Sequence, residues 1–346
     1  MNQRTDIGLS DLNKPVAVII LNWNGAKLLR EFLPSVVEFT PTDIADIIVA
    51  DNGSDDDSVE LLKSEFPNVR LLRFSKNYGF AEGYNRAIDS TRYKYTVLLN
   101  SDVAVKSDWL TPLYEYMESH SRTAACQPKI LAYRNPEMFE YAGAAGGYID
   151  RNGYPYCRGR IFGSVEKDEG QYDTVDENLF WATGAALMVR TDVYMNAGGL
   201  DPRFFAHMEE IDLCWRMQLL GYRIAAVPSG VVFHLGGGSL DASNPRKTYL
   251  NFRNNLLMLH KNLPDSVRRG ALFRRRLLDT VAWAKYVVCF DWRNAGAIVK
   301  AHRDFASMRD GYKRHPNVDL LHGTVRRPNI LTSYYLLGRK HFSSLR

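Results

Sequence analysis

The chain has 346 residues, enough for one large α/β core or for a core with a smaller unit attached. Hydrophobic residues make up 45% of it and charged residues 24%, which excludes a disordered, collagen-like or fibrous protein. The net charge of +5 is unevenly placed, because the part from Asp265 onward holds 17 Lys and Arg against 6 Asp and Glu. That basic part is either a solvated helical surface or a surface for an anionic partner, and no helix-turn-helix or zinc-finger spacing supports nucleic acid.

The N-terminal segment and the cysteines indicate the compartment. Residues 1–14 contain four charged side chains and no apolar run, so we predict an extension rather than a signal peptide. The four cysteines are widely spaced without a C-x-x-C pair, which argues against a zinc site and against a disulfide framework. We therefore expect a reducing, cytoplasmic setting.

The first third of the chain predicts four strands that alternate with helices. Buried apolar runs indicate the strands, and apolar residues repeated on one side indicate the helices. The strand segments are VAVIILNWN, ADIIVADN, VRLLRFSKN and YTVLLNSD, and the helical segments between them are AKLLREFLPSVVEF, VELLKSEF and GFAEGYNRAIDST. This alternation is typical of a parallel sheet with crossover helices.

Polar residues stand where these strands end. They are Asn22, Asn24, Asp51–Asp57, Lys76–Tyr78 and Asn100–Asp102. Such residues are common in turns for local reasons, because they satisfy backbone donors and tolerate unusual dihedral angles. In open sheets of this type, however, ligands bind at the carboxyl ends of the strands. We therefore expect several of these side chains to meet at one edge of the sheet.

The second half predicts a turn-rich part followed by more regular elements. Residues 128–177 are rich in Gly, Tyr and Pro and predict turns with short strands, which suit the wall of a cleft. FWATGAALMVRTDVYMNAGGLD predicts a buried strand and a short helix, and YRIAAVPSGVVFH predicts a strand that ends at His234. Between them Glu209, Glu210 and Asp212 begin a helix, where acidic residues also favour the positive end of the helix dipole.

Phosphate handling through a metal ion remains open, whereas two common phosphate-binding motifs are missing. No G-x-x-x-x-G-K-[ST] occurs and no G-x-G-x-x-G follows the first strand, which argues against P-loop NTPases and ordinary Rossmann dehydrogenases. Mg²⁺ or Mn²⁺ commonly joins one or two carboxylates to substrate phosphates. Asp102 suits that role, and His234 is a further ligand acceptable to Mn²⁺.

Five segments in order resemble a family-2 glycosyltransferase of the GT-A fold, over about Pro15 to Asn255. They are VAVIILNWNG, VADNGSDD, NYGFAEGYNRAI, LLNSDV, and GGLDPRFFAHMEEIDLCWRMQLLGYRI with VVFHLGGGS. RKTYLNFRNNLLMLHKN also resembles the segment after the histidine in bacterial rhamnosyltransferase-like members. The resemblance implies a Rossmann-like mixed α/β sheet with helices on both faces, and it does not cover the C-terminal region.

By this resemblance the strand ends bind a UDP- or dTDP-sugar. Asp51 accepts a hydrogen bond from the base, and the loop through Asp55 lies near the ribose. Asn100, Ser101 and Asp102 stand at the family's D-x-D motif with Asp102 as metal ligand, although the neutral Asn100 removes one charge. The full set expected to bind the nucleotide-sugar is Asn22, Asn24, Asp51, Asp55, Asn77, Gly79, Asn85, Asn100, Ser101, Asp102, Gly184 and Arg253.

The resemblance also implies a general base at the start of the MEEIDLCWR helix. Glu210 aligns with the family's usual aspartate, and Glu209 is the second candidate. A carboxylate within hydrogen-bond reach of the acceptor hydroxyl can take its proton, and the family likeness implies inversion at the sugar. Arg253 and Asn254 are expected to reach the diphosphate or to order the loop from Gly236 to Ser239.

The domain organisation follows from these assignments. We expect an extension of residues 1–14, a catalytic domain of residues 15–263, and a basic helical region of residues 264–346. In that region LLDTVAWAKYVVCFDW is interrupted by Asp279 and Lys285 and is too short to span a bilayer. It is expected either to lie on an anionic membrane surface or to pack on the catalytic domain.

Three functions stay open on the sequence. The first is metal-dependent transfer of a sugar, with rhamnose as first candidate, to a glycan or lipid-linked acceptor in surface-polysaccharide synthesis. It would take place in the cytoplasm or on the cytoplasmic face of the inner membrane. The second is a non-catalytic module that binds a nucleotide-sugar or a glycan, since Asn100 and Glu210 both depart from the family's usual residues. The third is a sugar nucleotidyltransferase, for which NWNGAKLLRE is a poor match to the usual glycine-rich loop.

Overall fold

The computed structural model describes residues 14–236, 244–312, 318–321 and 329–345. Its strands are β1 (Val16–Asn22), β2 (Ala45–Asp51), β3 (Arg70–Arg73), β4 (Tyr95–Leu99), β5 (Val103–Ala104), β6 (Thr123–Ala132), β7 (Asn135–Phe139), β8 (Gly147–Ile149), β9 (Pro155–Cys157), β10 (Arg160–Ile161), β11 (Ser164–Val165), β12 (Asp176–Leu179), β13 (Ala186–Arg190) and β14 (Arg223–His234). Its α-helices are α1 (Ala26–Phe39), α2 (Ser58–Glu65), α3 (Phe80–Thr91), α4 (Thr111–Ser119), α5 (Thr191–Asn196), α6 (Glu209–Leu219), α7 (Pro245–Asn262), α8 (Asp265–Val288) and α9 (Trp292–Met308). Short helical turns cover Pro202–Phe204, Arg309–Gly311, Thr332–Leu336 and Phe342–Leu345.

A mixed ten-stranded sheet lies at the centre of the described residues. Its order is β12-β14-β6-β13-β4-β1-β2-β3, with β5 beside β14 and β7 beside β6. Strands β1 to β4 are parallel, which confirms the prediction from their alternation with helices. Strand β13 runs antiparallel to both β4 and β6, and β14 is parallel to β6. The carboxyl ends of β1, β2, β4 and β14 therefore share one edge.

Helices cover both faces of this sheet because its inner strands are apolar on both sides. Along β1, Val16, Val18 and Ile20 pack in one apolar layer with α1, α2 and α4. Ala17 and Ile19 point the other way, into a layer with α3, α6 and α7. This arrangement confirms the predicted α/β class with helices on both faces.

The turn-rich segment forms a second, four-stranded sheet in the order β11-β10-β9-β8. It is joined to the rest of the described chain by a bridge between Gly147 and Trp181. A Cβ atom at Gly147 would lie 2.1 Å from the Trp181 ring, so only glycine permits this approach. The prediction of turns and short strands here is confirmed.

The C-terminal helices pack on α7 through buried charges. Asp279 of α8 pairs with Arg275 at 2.8 Å and with His302 of α9 at 3.1 Å. Arg275 also donates a hydrogen bond to Asn255 of α7. The predicted helical character is confirmed, and the domain boundary near Pro264 stays a prediction. None of the helices described combines the length and the apolarity needed to cross a bilayer.

Candidate functional site

Two predicted metal ligands that are far apart in the sequence meet at the shared sheet edge. Strand β5 pairs with the end of β14, where Val103 stands opposite His234. This pairing brings Asp102 Oδ1 to 3.1 Å from His234 Nε2, across 132 residues of sequence. Asn100 Nδ2 also lies 3.3 Å from His234 Nε2. Ser101, between these two strand-end residues, is half-buried.

Glu140, which the sequence analysis did not single out, is the third member of this corner. It follows β7, is buried, and brings its Oε2 to 3.5 Å from His234 Nδ1. Burial would lower the pKa of His234, but contacts with Asp102 and Glu140 raise that pKa to about 10. The imidazole therefore carries a positive charge between two carboxylates. We call Asp102, Glu140 and His234 the metal corner.

The 3.1 Å between Asp102 Oδ1 and His234 Nε2 is the length of a hydrogen bond. A divalent cation would be held by these two atoms only in place of the proton between them, because a histidine ligand must be neutral. Glu140 behind Nδ1 supplies the carboxylate that commonly orients a metal-binding histidine. Within the described ranges no three His, Cys, Asp or Glu side chains are arranged to hold a metal by themselves. Substrate phosphates and water would have to complete the shell.

Four predicted residues at the ends of β1 and β2 form one hydrogen-bonded cluster. Asp51, which is buried, accepts from Asn22 Nδ2 at 3.3 Å and from Ser54 N at 3.2 Å. Asn24 donates its N–H to Ser54 Oγ at 3.0 Å and accepts from the N–H of Asp55 at 2.9 Å. Among the residues described, Asn22 Oδ1 is buried without a hydrogen-bond partner and faces the backbone at Gly25, where a Cβ would lie 2.3 Å away.

Asn52, a buried residue that the sequence analysis included in Asp51–Asp57 without giving it a role, joins this cluster to the loop after β3. Its Nδ2 donates to Asn77 Oδ1 and to the Gly79 carbonyl, both at 3.1 Å. The close approach of the two loops requires Gly53, because a Cβ there would meet the Lys76 backbone at 2.6 Å. Asn77 and Gly79 are thus held beside the Asp51 cluster, as predicted from their positions at strand ends.

Two predicted binding residues make their hydrogen bonds within the protein. Asn85 donates to the Leu200 carbonyl at 2.8 Å and accepts from the Tyr194 hydroxyl at 2.6 Å. Arg253 donates to the Phe204 carbonyl at 2.8 Å. These contacts hold the segment that leads to α6. Binding of a nucleotide-sugar by Asn85 and Arg253 stays a prediction that these contacts do not support.

The loop before α6 has an unusual backbone and is held by Asn254. Phe205, His207 and Met208 all have φ between 67° and 73°, a region that side chains with a Cβ disfavour. Asn254 Nδ2 donates to three carbonyls of this loop, at 2.8 to 2.9 Å. Asn254 thus orders the loop before α6. Its expected action on the loop from Gly236 to Ser239 stays a prediction, since most of that loop lies outside the described residues.

Glu209 and Glu210 follow that loop at the start of α6. Glu209 is buried and Glu210 is half-buried, and the Oε2 atom of each lacks a hydrogen-bond partner among the described residues. Burial raises the pKa of Glu210 to about 7. Burial and the adjacent Glu210 charge raise the pKa of Glu209 well above its usual value. Environments that separate two carboxyl groups in this way are typical of acid–base sites, and they favour Glu210 as the base.

Glu210 borders the same part of the molecule as the metal corner. A Cβ built at Gly184 would lie 3.8 Å from Glu210 Cβ, and the carbonyl after Gly184 accepts from the N–H of Asn100 at 3.0 Å. Burial raises the pKa of the Cys157 thiol, and the charges of both Glu140 and Glu210 add to that rise. Glu210, the candidate base, therefore lies near Gly184, and both Glu210 and Glu140 of the metal corner act on the Cys157 thiol.

A separate cleft of about 430 Å³ lies at the opposite edge of the sheet. Its lining includes Lys94, just before β4, and Arg190, at the end of the antiparallel β13. The cleft lies at the amino end of β4, and none of its lining residues is a predicted site residue.

Part of this chain is similar in sequence to known glycosyltransferases. Residues 17–168 match the sequence profile described as Glycosyl transferase family 2. The N-acetylglucosaminyl-diphospho-decaprenol L-rhamnosyltransferase of Mycobacterium tuberculosis is 26% identical over 235 residues, which are 63% of this chain and 75% of that protein. Rhamnosyltransferase WbbL of Escherichia coli is 26% identical over 164 residues, which are 45% of this chain and 61% of that protein.

Two solved structures share the fold at low sequence identity. GalNAc-T7, solved with UDP, GalNAc and Mn²⁺, superposes with a TM-score of 0.56 at 18% identity, over 72% of this chain and 48% of that one. The mannosyltransferase PcManGT from Pyrobaculum calidifontis, solved with GDP-Man and Mn²⁺, gives a TM-score of 0.52 at 14% identity, over 95% of this chain and 81% of that one. Both are glycosyltransferases of the GT-A fold, which is the fold of this chain.

Proposed function

We propose, from the match of residues 17–168 to the Glycosyl transferase family 2 profile, that this chain transfers a hexose from a UDP- or dTDP-sugar, with inversion, to a glycan or lipid-linked acceptor. Rhamnose is the favoured sugar, since two relatives at 26% identity are named rhamnosyltransferases. The observation that carries the proposal is the 3.1 Å approach of Asp102 and His234 at the sheet edge that Glu210 also borders.

The nucleotide would bind at the Asp51 cluster. Uracil and thymine both present an N3–H, and Asp51 has acceptor capacity beyond its bonds to Asn22 and Ser54. Asp55 is exposed at the rim, where a ribose hydroxyl could donate to it.

The diphosphate would lie at the metal corner. Asp102 and His234 would hold Mg²⁺ or Mn²⁺, which when bound neutralises the charge that develops on the leaving nucleoside diphosphate. Glu140 keeps the His234 ring oriented and fixes which of its nitrogens faces the sheet edge.

Glu210 would act as general base on the acceptor. As the acceptor oxygen forms its bond to the anomeric carbon, Glu210 takes the hydroxyl proton. The bond from that carbon to the diphosphate oxygen breaks, and its electron pair stays on the diphosphate. Attack on one face with departure from the other inverts the anomeric centre. The raised pKa of Glu209, caused by burial and the Glu210 charge, disfavours a second negative charge beside the acceptor.

An assay of donor turnover tests this proposal. Purified protein with Mn²⁺ and a panel of UDP- and dTDP-sugars is expected to release UDP or dTDP, fastest with dTDP-rhamnose and an acceptor glycan. Glu210→Gln and Asp102→Ala are expected to bind donor and to lose turnover. Release of pyrophosphate would assign a nucleotidyltransferase instead, and donor binding without turnover by the wild type would assign a binding module.

The name of one relative indicates the kind of acceptor. The relative from Mycobacterium tuberculosis is named for an acceptor carried on a decaprenyl diphosphate. A lipid-linked acceptor in surface-polysaccharide synthesis would bring this enzyme to the cytoplasmic face of the inner membrane, as a peripheral protein.

A further inference from the structure

Helix α8 presents a stripe of apolar side chains to solvent. Phe273, Leu277, Val281 and Val288 are 53% to 75% exposed. Their spacing of four, four and seven residues keeps them on one side of the helix. The opposite side of α8 carries buried residues that pack on the rest of the chain, Asp279 among them. Single exposed apolar residues are ordinary, but a continuous stripe indicates a contact surface. We call these four residues the α8 stripe.

Cations flank the α8 stripe, and the one exposed acidic residue of the helix, Asp265, lies in its first turn in an ion pair with Arg268. Arg274 and Lys285 lie on one side of it and Arg269 and Arg276 on the other, and all four are exposed. Between Ser266 and Phe290 the sequence holds a single acidic residue, Asp279. Its charge is buried and already paired with Arg275 and His302. The face around the α8 stripe is therefore positively charged throughout.

Two aromatic residues continue the stripe where α8 turns into α9. Phe290 and Trp292 are both exposed, and their ring centroids lie 6.4 Å apart. An indole ring is favoured at the boundary between lipid and water, because one part is apolar and the N–H can stay hydrated. We call this pair the aromatic tip.

The charges select the partner of this surface. Two copies of the chain packed through the α8 stripe would bring like charges together, which disfavours a dimer here. A bilayer with acidic headgroups accepts the apolar stripe and attracts the flanking cations. From Phe273 to Val288 the stripe is about 22 Å long at 1.5 Å per residue, which suits a helix lying in the plane of the interface.

We propose that the α8 stripe and the aromatic tip form a docking surface for an anionic phospholipid bilayer, with α8 parallel to the membrane plane. The sequence left two expectations for this region. The buried side of α8 packs on the rest of the chain, and the exposed side would contact the membrane. The inference does not depend on the sugar or on the metal, so it stands apart from the proposed transfer reaction.

Vesicle sedimentation tests the proposal with the full-length protein. Wild-type protein is expected to bind vesicles of phosphatidylglycerol and phosphatidylcholine, less as salt rises, and to bind phosphatidylcholine alone only weakly. The double variant Leu277→Glu/Val281→Glu is expected to lower the partition coefficient about tenfold or more, because charges must enter the apolar interface. Lys63→Glu is the matched control, because it also changes the net charge by −2. Lys63 is an exposed residue of α2, which packs on the other face of the sheet.

A second variant separates lost binding from lost folding. Arg269→Gln/Arg274→Gln/Lys285→Gln removes three cations that form no ion pair with any residue the structure describes. It is expected to keep the wild-type melting temperature and to lose most of the salt-dependent binding. Equal vesicle binding by wild type and both variants would overturn the proposal. So would a wild-type dimer that Leu277→Glu/Val281→Glu dissociates. Transfer to a water-soluble acceptor should stay unchanged in both variants, so a failed glycosyltransferase assay and a failed docking assay remain distinct.

Discussion

At the scale of single residues, two neighbouring carboxyl groups at the start of α6 have different environments. Glu209 is buried and next to another acid, whereas Glu210 is half-buried and borders Gly184. Burial and the Glu210 charge favour the protonated form of Glu209, and burial raises the pKa of Glu210 to about 7. A general base works best when its pKa lies near the working pH, so this arrangement suits proton removal from an acceptor hydroxyl.

The first prediction concerns Glu210 and pH. Turnover is expected to rise with pH through an apparent pKa near 7, because only ionised Glu210 can take the proton. Glu210→Gln is expected to lower kcat about 10²- to 10⁴-fold and to abolish this rise. Glu209→Gln is the control and should keep the rise. A profile of kcat/KM against pH for the three proteins decides the matter, and an unchanged rise in Glu210→Gln would exclude Glu210 as the base.

The same shift has a consequence for stability. Between pH 4.5, the ordinary pKa of a glutamate, and about 7 the folded protein holds more protons than the unfolded chain. Its free energy of unfolding should therefore fall as pH rises through this window. Glu210→Gln removes the cost of a buried charge, and we expect it to melt at a higher temperature than wild type at pH 8 and at a similar temperature at pH 5. The opposite order at pH 8 would contradict the burial argument.

The third prediction concerns Glu140 and metal affinity. Glu140→Gln removes the charge behind His234 Nδ1, so the ring is less basic and less firmly oriented, and we expect Mn²⁺ affinity to fall about 10- to 100-fold. Calorimetric titration of Mn²⁺ into protein saturated with UDP or dTDP, whose phosphates complete the metal shell, measures this. Glu137→Gln is the control, because Glu137 precedes Glu140 by three residues and forms an exposed pair with Lys167 at 3.0 Å. Equal Mn²⁺ affinity in the two variants would reduce Glu140 to a packing role.

At the scale of elements, α7 holds α6 and the loop before it through buried polar contacts. Asn254 holds the strained loop before α6, and Lys261 pairs with Asp201 at 2.9 Å and with Asp212 of α6 at 2.8 Å. Burial would raise the pKa of Asp201, but Arg203 and Lys261 lower it below its usual value. These contacts connect the strain in the loop to a rigid buried network.

The fourth prediction follows from Lys261. Lys261→Met leaves Asp201 and Asp212 without this buried cation, and loss of one partner of a buried pair costs about 3 to 5 kcal/mol. Lys94→Met, which breaks the exposed pair with Glu118, should cost less than about 1 kcal/mol. Denaturant unfolding at pH 7 compares them. In wild type the contribution of Asp201 is complete above pH 3.8 and is lost as pH falls below it. Similar costs for the two variants would contradict the network.

At the scale of the whole molecule, the two ends of the chain carry net charges of opposite sign. The part from Asp265 carries a net +11, and the rest, which includes the sheet edge with its carboxylates, carries −6. The acidic part suits a metal ion with a diphosphate, and the basic part suits an anionic surface. The two parts are packed together, since Arg275 of α8 contacts Asn255 of α7.

The fifth prediction is ligand-linked stability. A donor that binds only the folded protein raises its free energy of unfolding by about 2.7 kcal/mol at a concentration of 100 Kd. The melting temperature should therefore rise with UDP- or dTDP-sugar plus Mn²⁺, and rise less when a chelator removes the metal. Asp102→Asn should lose the Mn²⁺-dependent part alone. A donor effect that is the same with and without Mn²⁺ would contradict a shared site for cation and diphosphate.

The amino-acid sequence by itself determined the first four strands with the helices between them, their parallel order, and the presence of Asn22, Asp51 and Asp102 at the ends of those strands. These follow from local patterns, because apolar periodicity sets each element and crossover connections make successive strands parallel. Only the tertiary structure brought Glu140 to His234 and Asn254 to the loop before α6. Such contacts join segments that are remote along the chain, and they depend on how layers pack rather than on any pattern within a segment.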